Sequence, residues 1–307
     1  MIKKVIAAVA MISILTFYLI TLYEYIPQDP VSLSAENIMP DPVAAIHYGV
    51  TPVFAENLRF NHNNISYFIK GECSATRRKS MEEAFGIFEE EMRLISFYET
   101  NFDPDILVEC SDEDIPFGNN LFAAGEGGPS RIINTSFFKT IEKGKIALYE
   151  DQRCDYPVVE LHELLHVFGF DHIENPNSIM YYISKCNQRM TSDMVKTIND
   201  LYSIEPLPDA SIGNLTATKR GKYLDFNITI LNEGLLDIND INLSIVVEGE
   251  IIQVINMERL EIGYGRNLEA KNVMLPSIRI TNIIFELDKE NSVREMREGN
   301  NIRNMSA

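Results

Sequence analysis

The chain has 307 residues, which is enough for two domains that each bury a core of their own. Its 45 acidic residues outnumber its 27 basic residues, and the formal net charge is -18 at pH 7. A surface this acidic repels phosphate backbones, so the charge argues against nucleic-acid binding and predicts no nucleic-acid partner.

A charge-free apolar run occupies residues 5–23, directly after Lys3 and Lys4. As a helix this run would be about 28 Å long, close to the ~30 Å hydrocarbon core of a bilayer. It is also longer than the apolar core of about 7–15 residues in a cleaved signal peptide. We therefore expect residues 1–26 to form a transmembrane signal anchor, with the rest of the chain outside the cell because the lysines favour the cytoplasmic side. The alternative is a cleaved signal peptide and a secreted protein.

Residues 27–59 contain several prolines and show no periodic apolar pattern, which predicts a linker or a short pro-segment. Residues 60–205 then mix strand-like and helix-like patterns. Strands are predicted at 65–71, 105–110, 130–134 and 145–150, and helices at 80–95, from 158 onward and at 192–202. The first strand, the first helix and the second strand are expected to form a βαβ unit with parallel strands.

The character of the sequence changes at Pro206 and Pro208. The segment YLDFNITILNEG alternates apolar and polar residues, and it is followed by further short β-type runs at 241–249, 251–257, 271–275 and 283–287. Regularly spaced strands without a helical period predict an all-β sandwich over residues 206–307.

The four cysteines are Cys73, Cys110, Cys154 and Cys186, an even set. Outside the cell we expect two disulfides, for which three pairings exist. If the two strands of the βαβ unit are parallel neighbours, their C-terminal ends lie at the same edge of the sheet, and Cys73 can reach Cys110. Cys154 would then pair with Cys186 and tie the start of the next helix to the segment that follows it.

Three of the five histidines fall within the segment HELLHVFGFDH, residues 162–172. On a helix, His162 and His166 lie one turn apart on the same face, where both can bind one zinc ion. A continuous helix would turn His172 away from that face, but Gly169 can adopt a positive φ and end the helix. A reversal at this point would bring His172 back as the third ligand. The fourth position would stay open for water, as in catalytic zinc sites.

Glu163 follows the first histidine and leans toward the same edge of the helix. We expect its carboxylate to act as the general base that takes a proton from water, and then as the acid that hands it to the departing amine. A solvent-exposed helix face and a zinc site without proteolysis are the competing interpretations of the segment. Asp171, beside His172, is the alternative third ligand.

The pattern His-Glu-x-x-His-x-x-Gly-x-x-His resembles the zinc signature of the metzincin metalloproteases. The resemblance extends to Met180, which lies eight residues after His172 as in the matrixin branch, and to Pro176 between them. It implies a methionine turn beneath the metal. Ile173 departs from the matrixins, which usually have serine there. Tyr182 stands where astacins and serralysins place a tyrosine that approaches the metal or the oxyanion, so its role is open between that one and a wall of the specificity pocket.

The segments ILNEG and ELDKENSVREMREGNN resemble an Ig-like, adhesion-related domain of the kind called CARDB. Together the two resemblances imply an α+β metzincin-type catalytic domain at 60–205, with a mixed twisted sheet and the zinc helix at the cleft. An Ig-like β-sandwich would follow at 206–307.

The predicted function is that of a membrane-anchored, outward-facing zinc endopeptidase that hydrolyses extracellular proteins or peptides. It would use one catalytic zinc ion bound by His162, His166 and His172, while the sequence gives no support for a structural calcium ion. The alternative is a surface adhesion or binding protein whose zinc site is not catalytic. In either case the C-terminal domain is the candidate for binding a surface partner.

Overall fold

The computed structural model describes residues 2–25, 29–35, 43, 46–118, 121–151 and 154–306. Contacts divide the chain into two compact units. We call the first the α+β unit; it comprises Pro42–Leu207 and Glu233–Leu236. We call the second the β unit; it comprises Met1–Asp41, Pro208–Asn232 and Asp237–Ala307.

The first helix, α1 (Ile2–Tyr25), precedes the first strand, β1 (Val31–Ala35). Within the described part of the chain, we find no helix with both the length and the apolar character that a membrane crossing requires. The predicted transmembrane anchor over residues 5–23 therefore gains no support from the structure.

The α+β unit contains the following elements in chain order: β2 (Leu58–Phe60), β3 (Asn64–Ile69), α2 (Ala75–Met92), β4 (Ser96–Glu99), β5 (Ile106–Cys110), β6 (Pro116–Gly118), β7 (Leu121–Phe122), β8 (Gly125–Asn134), β9 (Lys139–Leu148), α3 (Val158–Val167) and α4 (Ser192–Ser203). Five strands form one sheet in the order β2, β9, β5, β3, β4, and every pair among them is parallel. The long strand β8 pairs antiparallel with β9, so the sheet is mixed. β6 and β7 form a separate hairpin.

The predicted βαβ unit is confirmed, because β3 and β5 pair in parallel with Tyr67 opposite Ile106. The helix between them begins five residues earlier than the apolar pattern indicated, at Ala75. Ser74 explains this start, since its hydroxyl accepts a hydrogen bond from the backbone N–H of Arg77 at 3.2 Å and caps the helix. The short strand β4, which pairs with the other edge of β3, was not predicted.

Both predicted disulfides are confirmed. Cys73 lies just after β3 and Cys110 ends β5, and their Cα atoms are 5.0 Å apart. Cys154, shortly before α3, is bonded to Cys186 with a Cα–Cα distance of 5.2 Å. The first bond follows from the parallel neighbourhood of the two strands. The second ties the start of the histidine-bearing helix to the loop that follows it.

The face of α2 that carries Met81, Ala84, Phe85, Phe88 and Met92 is buried in the core of the α+β unit, as its helical spacing predicted. Each large side chain buried in this way contributes about 1.5–3 kcal/mol relative to exposure. These residues therefore stabilise the packing of α2 in the core.

The β unit contains, after β1, the strands β10 (Ala210–Arg220), β11 (Tyr223–Asn232), β12 (Asn242–Val247), β13 (Glu250–Asn256), β14 (Gly265–Met274), β15 (Asn282–Leu287) and β16 (Ile302–Ser306). These strands pair antiparallel throughout, in the order β13, β12, β15, β16, β1, β10, β11, β14. The predicted alternation in β11 is confirmed, since its inward residues are all buried: Leu224, Phe226, Ile228 and Ile230. The second part of the chain is therefore all-β, as predicted.

Strand β1 was not predicted, because residues 31–35 were assigned to the spacer 27–59. The first residues of β1 pair with β10, and its last two, Ser34 and Ala35, pair with β16. Only Leu33 enters the core, so the apolar alternation is too short to be recognised in the sequence. Residues 27–28, 36–42 and 44–45 of the predicted spacer lie outside the described residues.

A buried ion pair ties the C-terminal segment of the β unit to the start of β10. Asp209 is fully buried, and its carboxylate accepts hydrogen bonds from Arg297 Nε at 2.9 Å and Nη2 at 2.6 Å. Asn300 Nδ2 donates to the other carboxylate oxygen at 3.1 Å. The polar segment REMREGNN is thus part of the structural framework of the β unit.

Each disulfide is expected to stabilise the α+β unit by constraining its unfolded chain. The bonds span sequence separations of 37 and 32 residues. The loop-entropy model then assigns about 4 kcal/mol to each. Replacing Cys73 and Cys110 together with alanine should lower the free energy of unfolding by about that amount. Urea denaturation of the double variant and the wild type measures the difference. An unchanged stability would contradict the entropic account of this bond.

Candidate active site

The helix α3 carries two of the three clustered histidines and ends where the sequence predicted. Helical geometry stops at Phe168, and Gly169 has a φ of 95°, a conformation that glycine adopts without steric cost. The chain then reverses and returns His172 to the helix face. The Nε2 atom of His162 lies 3.1 Å from those of both His166 and His172, which are 3.3 Å from each other. The structure therefore brings the three predicted residues together.

The opposite ring nitrogens of the helical histidines are held by backbone carbonyls. His162 Nδ1 donates to Ile179 O at 2.6 Å, and His166 Nδ1 donates to Phe170 O at 2.8 Å. Because a carbonyl only accepts, each Nδ1 carries the proton and each Nε2 of a neutral ring presents a lone pair. Burial, reinforced by the neighbouring His166, lowers the pKa of His162 to about 3, so this ring is neutral at physiological pH.

This arrangement fits a metal ion. The Nε2 lone pairs of His162 and His166, 3.1 Å apart, repel each other unless a proton or a metal cation lies between them, and imidazole nitrogen is a ligand that zinc prefers. One potential ligand atom from each ring, all within 4.8 Å of one another, forms a group able to hold one ion. Asp171, the alternative ligand, turns its Oδ1 to the backbone N–H of His172 at 2.7 Å instead.

Glu163 lies beside the histidines and lines the same cleft, with only 6% of its surface exposed. Burial raises the pKa of its carboxyl to about 8, and the negative charges of Glu126 and Glu160 add to the effect. A nearby cation would lower this pKa again and favour the ionised carboxylate. The side chain therefore has the position and the proton affinity of a group that can exchange protons in the cleft.

Two glycines of β8 let α3 approach the sheet at Glu163. A β-carbon at Gly127 would lie 2.1 Å from the carbonyl oxygen of Glu163, and one at Gly125 would lie 2.8 Å from its Cγ. Neither distance is tolerated by real atoms, so the backbone of β8 supports the helix directly. These glycines were not predicted from the sequence, although the run GEGGP within a strand is a signal of close backbone approach.

The cleft has a volume of about 660 Å³. One side is formed by residues 122–127, the other by residues 182–186, and the histidines lie between them. Tyr182 is 48% exposed on the second side, and its hydroxyl accepts a hydrogen bond from that of Tyr181 at 3.1 Å. Met180 is fully buried in the core of the α+β unit. The size and shape of this cleft suit an extended peptide or a side chain of one.

A segment that precedes β2 packs against the loop that bears the third histidine. In this segment, residues 46–57, Phe54 N–H donates to Gly169 O at 3.0 Å, and Pro52 O accepts a hydrogen bond from Asp171 N–H at 2.8 Å. We call residues 46–57 the strap. Because it pairs with the backbone on both sides of the chain reversal, it supports the loop that places His172.

The strap is anchored to α4. Both the backbone N–H and the hydroxyl of Thr51 donate to Asp193 Oδ2, at 2.9 and 2.8 Å. At Gly49, a β-carbon would lie 2.1 Å from Cβ of Asp193, so only glycine fits there. The spacer predicted for 27–59 therefore differs from the structure in this part, because contacts with residues more than 100 positions away fix the strap.

The contacts of β8 with α3 predict that alanine destabilises the fold at Gly127 but not at the adjacent Gly128. Gly127→Ala places a methyl group on the Glu163 carbonyl and should lower the free energy of unfolding by about 1–3 kcal/mol. Gly128→Ala is the control, because a β-carbon there has no neighbour within 4 Å. Urea denaturation of both variants tests this, and equal stabilities would show that α3 does not rest on β8 at this point.

Comparisons with known proteins agree with this geometry. A model of the matrixin family matches residues 59–203, and a model of the CARDB family matches residues 205–305. The first match ends at residue 203, the last residue of α4, and the second covers the β unit from β10 onward. No curated protein matches the chain.

Two of the similar solved structures cover about a third of this chain. One is a CARDB domain from Pyrococcus furiosus in complex with di-metal ions, with 15% identity over 33% of this chain and 88% of that chain and a TM-score of 0.27. Another is a domain from a proposed cell surface protein of Methanosarcina acetivorans, with 22% identity over 33% of this chain and 91% of that chain and a TM-score of 0.27. The matrixin match supports a metallopeptidase. Residues 59–203 thus match the matrixin family, and residues 205–305 match the CARDB family.

Proposed function

We propose that this chain is a zinc-dependent endopeptidase that hydrolyses peptide bonds of extracellular proteins. The observation that carries the proposal is the convergence of three histidine Nε2 atoms, 3.1–3.3 Å apart, beside a buried glutamate in an open cleft. A purely structural zinc site would need a fourth protein ligand and no glutamate.

His162, His166 and His172 would hold the zinc ion through Nε2. When bound, zinc would supply Lewis acidity, which activates water and stabilises negative charge on a carbonyl oxygen. The carbonyls of Ile179 and Phe170 orient two of these rings and leave their Nε2 lone pairs available as ligands. These backbone contacts support the choice of ligand atoms, because they leave only one nitrogen of each ring free.

Glu163 would move the proton. Its carboxylate accepts a proton from the attacking water molecule while the new C–O bond forms, and it donates that proton to the amine nitrogen as the C–N bond breaks. The glycines of β8 hold the backbone of Glu163 at a fixed distance from the sheet, which limits how far the carboxylate can move.

Protein substrates follow from the matrixin domain, and the cleft supports an endopeptidase because it is open between two walls. We place the chain outside the cytoplasm, since its two disulfides are typical of oxidising compartments. The CARDB domain is our candidate for binding a surface partner. An adhesion protein with a non-catalytic zinc site would not need a glutamate at position 163. We therefore prefer the peptidase function.

Removal of one proposed ligand should abolish stable zinc binding. We expect one zinc ion per wild-type chain and a sharp loss in His166→Ala, because two remaining imidazoles do not form a stable site. His47→Ala is the matched control, since His47 is exposed and contacts Asp200 rather than the cluster. Metal content after dialysis measures the effect. Stoichiometric zinc in the His166→Ala protein would overturn the ligand assignment.

Glu163→Gln should retain zinc and the fold while peptide hydrolysis falls by about 10²–10⁴-fold, the usual contribution of a general acid–base residue. Glu90→Gln, an exposed glutamate on α2, serves as the control for loss of one charge. Turnover of denatured protein by both variants, with and without a zinc chelator, is the measurement. Near-wild-type turnover by Glu163→Gln would place the base elsewhere.

A further inference from the structure

The loop between His172 and α4 forms one wall of the cleft but has no regular secondary structure. Residues 173–191 contain no helix and only isolated bridges, and all of them lie within the described residues. Their segment 182–186, which we call the cleft wall, lines the cleft. A loop of this length cannot hold one conformation without bonds that replace a hydrogen-bonded ladder.

Gln188 supplies three of these bonds from the inside of the loop. Its side chain is fully buried, with 0% exposure. Its Oε1 accepts the backbone N–H of Lys185 at 2.8 Å, and its Nε2 donates to Ile183 O at 2.9 Å and to Pro176 O at 3.2 Å. The amide therefore joins the cleft wall to the turn that precedes Met180.

Only a primary amide of this length meets these demands. The three partners are one backbone N–H and two backbone carbonyls, so the site needs one acceptor and two donors. This set also fixes the orientation of the amide, because the opposite one would place donors against a donor and an acceptor against acceptors. Methionine has a similar length and supplies none of the bonds. Glutamate keeps the acceptor and loses the donors.

The same region is connected to the histidine cluster. Arg189, the next residue, accepts the backbone N–H of Ile179 on its carbonyl oxygen at 3.0 Å. Ile179 in turn accepts Nδ1–H of His162 on its own carbonyl. The end of the wall is held separately, by the disulfide from Cys186 to Cys154. The cleft wall is therefore fixed at its far end by a covalent bond and in its middle by the Gln188 amide.

We propose that Gln188 is a positioning residue for substrate specificity: its buried amide fixes the cleft wall, and thereby sets how tightly a peptide is held beside His162 and Glu163. The residue touches no substrate itself. It acts on binding rather than on proton transfer, because its bonds go to the wall and to the turn at Pro176 and not to the histidines. The inference rests on the proposed peptidase function for its kinetic part, whereas the effect on the wall is independent of activity.

Gln188→Met tests the proposal, with Asn187→Ala as the control because Asn187 is an exposed amide in the same loop. Amide hydrogen exchange reports on the wall directly. We expect the Lys185 amide and its neighbours to exchange at least about tenfold faster in Gln188→Met, since the bond to Oε1 is lost. With a panel of peptides, KM should rise about tenfold, and the differences in kcat/KM between the best and the worst peptides should become smaller. The values of kcat and the zinc content should stay within about threefold of the wild type.

Gln188→Glu provides a second test that disturbs the packing less. It keeps an acceptor for Lys185 N–H, so we expect that amide to stay partly protected while KM still rises, because a carboxylate faces the carbonyls of Ile183 and Pro176. Unchanged exchange and an unchanged peptide preference in folded variants would overturn the proposal. So would a parallel loss of zinc and kcat, which would mean that Gln188 merely supports the metal site. Zinc-loaded wild type that cleaves no peptide would instead refute the proposed peptidase function, while faster exchange at Lys185 would still support the role of Gln188 in the wall.

Discussion

Two backbone hydrogen bonds determine the chemistry of the candidate active site. The carbonyls of Ile179 and Phe170 accept Nδ1–H from His162 and His166, so the protons of these rings point away from the cleft. Their Nε2 atoms lie 3.1 Å apart with lone pairs facing the cluster, an arrangement that a bound cation stabilises. Both carbonyls belong to the segment after α3, so the conformation of that segment decides whether the histidines can act together.

The rest of the α+β unit holds this segment and α3 in fixed positions relative to each other. Gly169 ends α3 and allows the reversal, and the strap pairs with the backbone on either side of it. On the opposite side, Gly127 brings the backbone of β8 against Glu163. The disulfide from Cys154 and the amide of Gln188 fix the cleft wall. Most of these contacts involve the main chain, which is why glycine recurs among them.

The sequence predicted those features that depend on spacing within one segment. The four-residue separation of His162 and His166, the break at Gly169 and the alternation in β11 are local patterns, and the structure has all of them. The disulfides were predicted because the βαβ rule is itself local in sequence. The family resemblances agree with the family matches at 59–203 and 205–305.

Other features were not predictable because they depend on residues far apart in the chain. The strap was assigned to a spacer, since nothing within residues 46–57 reveals that Asp193 will bind Thr51. Strand β1 was not predicted for a related reason. It has a single core residue, Leu33, and its partner residues lie at positions 217–219 and 305–306, far along the chain. Gln188 gave no signal, because a buried glutamine is recognised only by the backbone groups that surround it.

We infer that three imidazole nitrogens and no sulfur ligand bind one zinc ion beside Glu163. X-ray absorption at the zinc edge of the purified, zinc-loaded chain tests it most directly, since it reports the ligand atoms and their distances. The account predicts three imidazole nitrogens at about 2.0–2.1 Å and one further oxygen ligand. A sulfur ligand at about 2.3 Å, or a shell with fewer than three imidazoles, would contradict it.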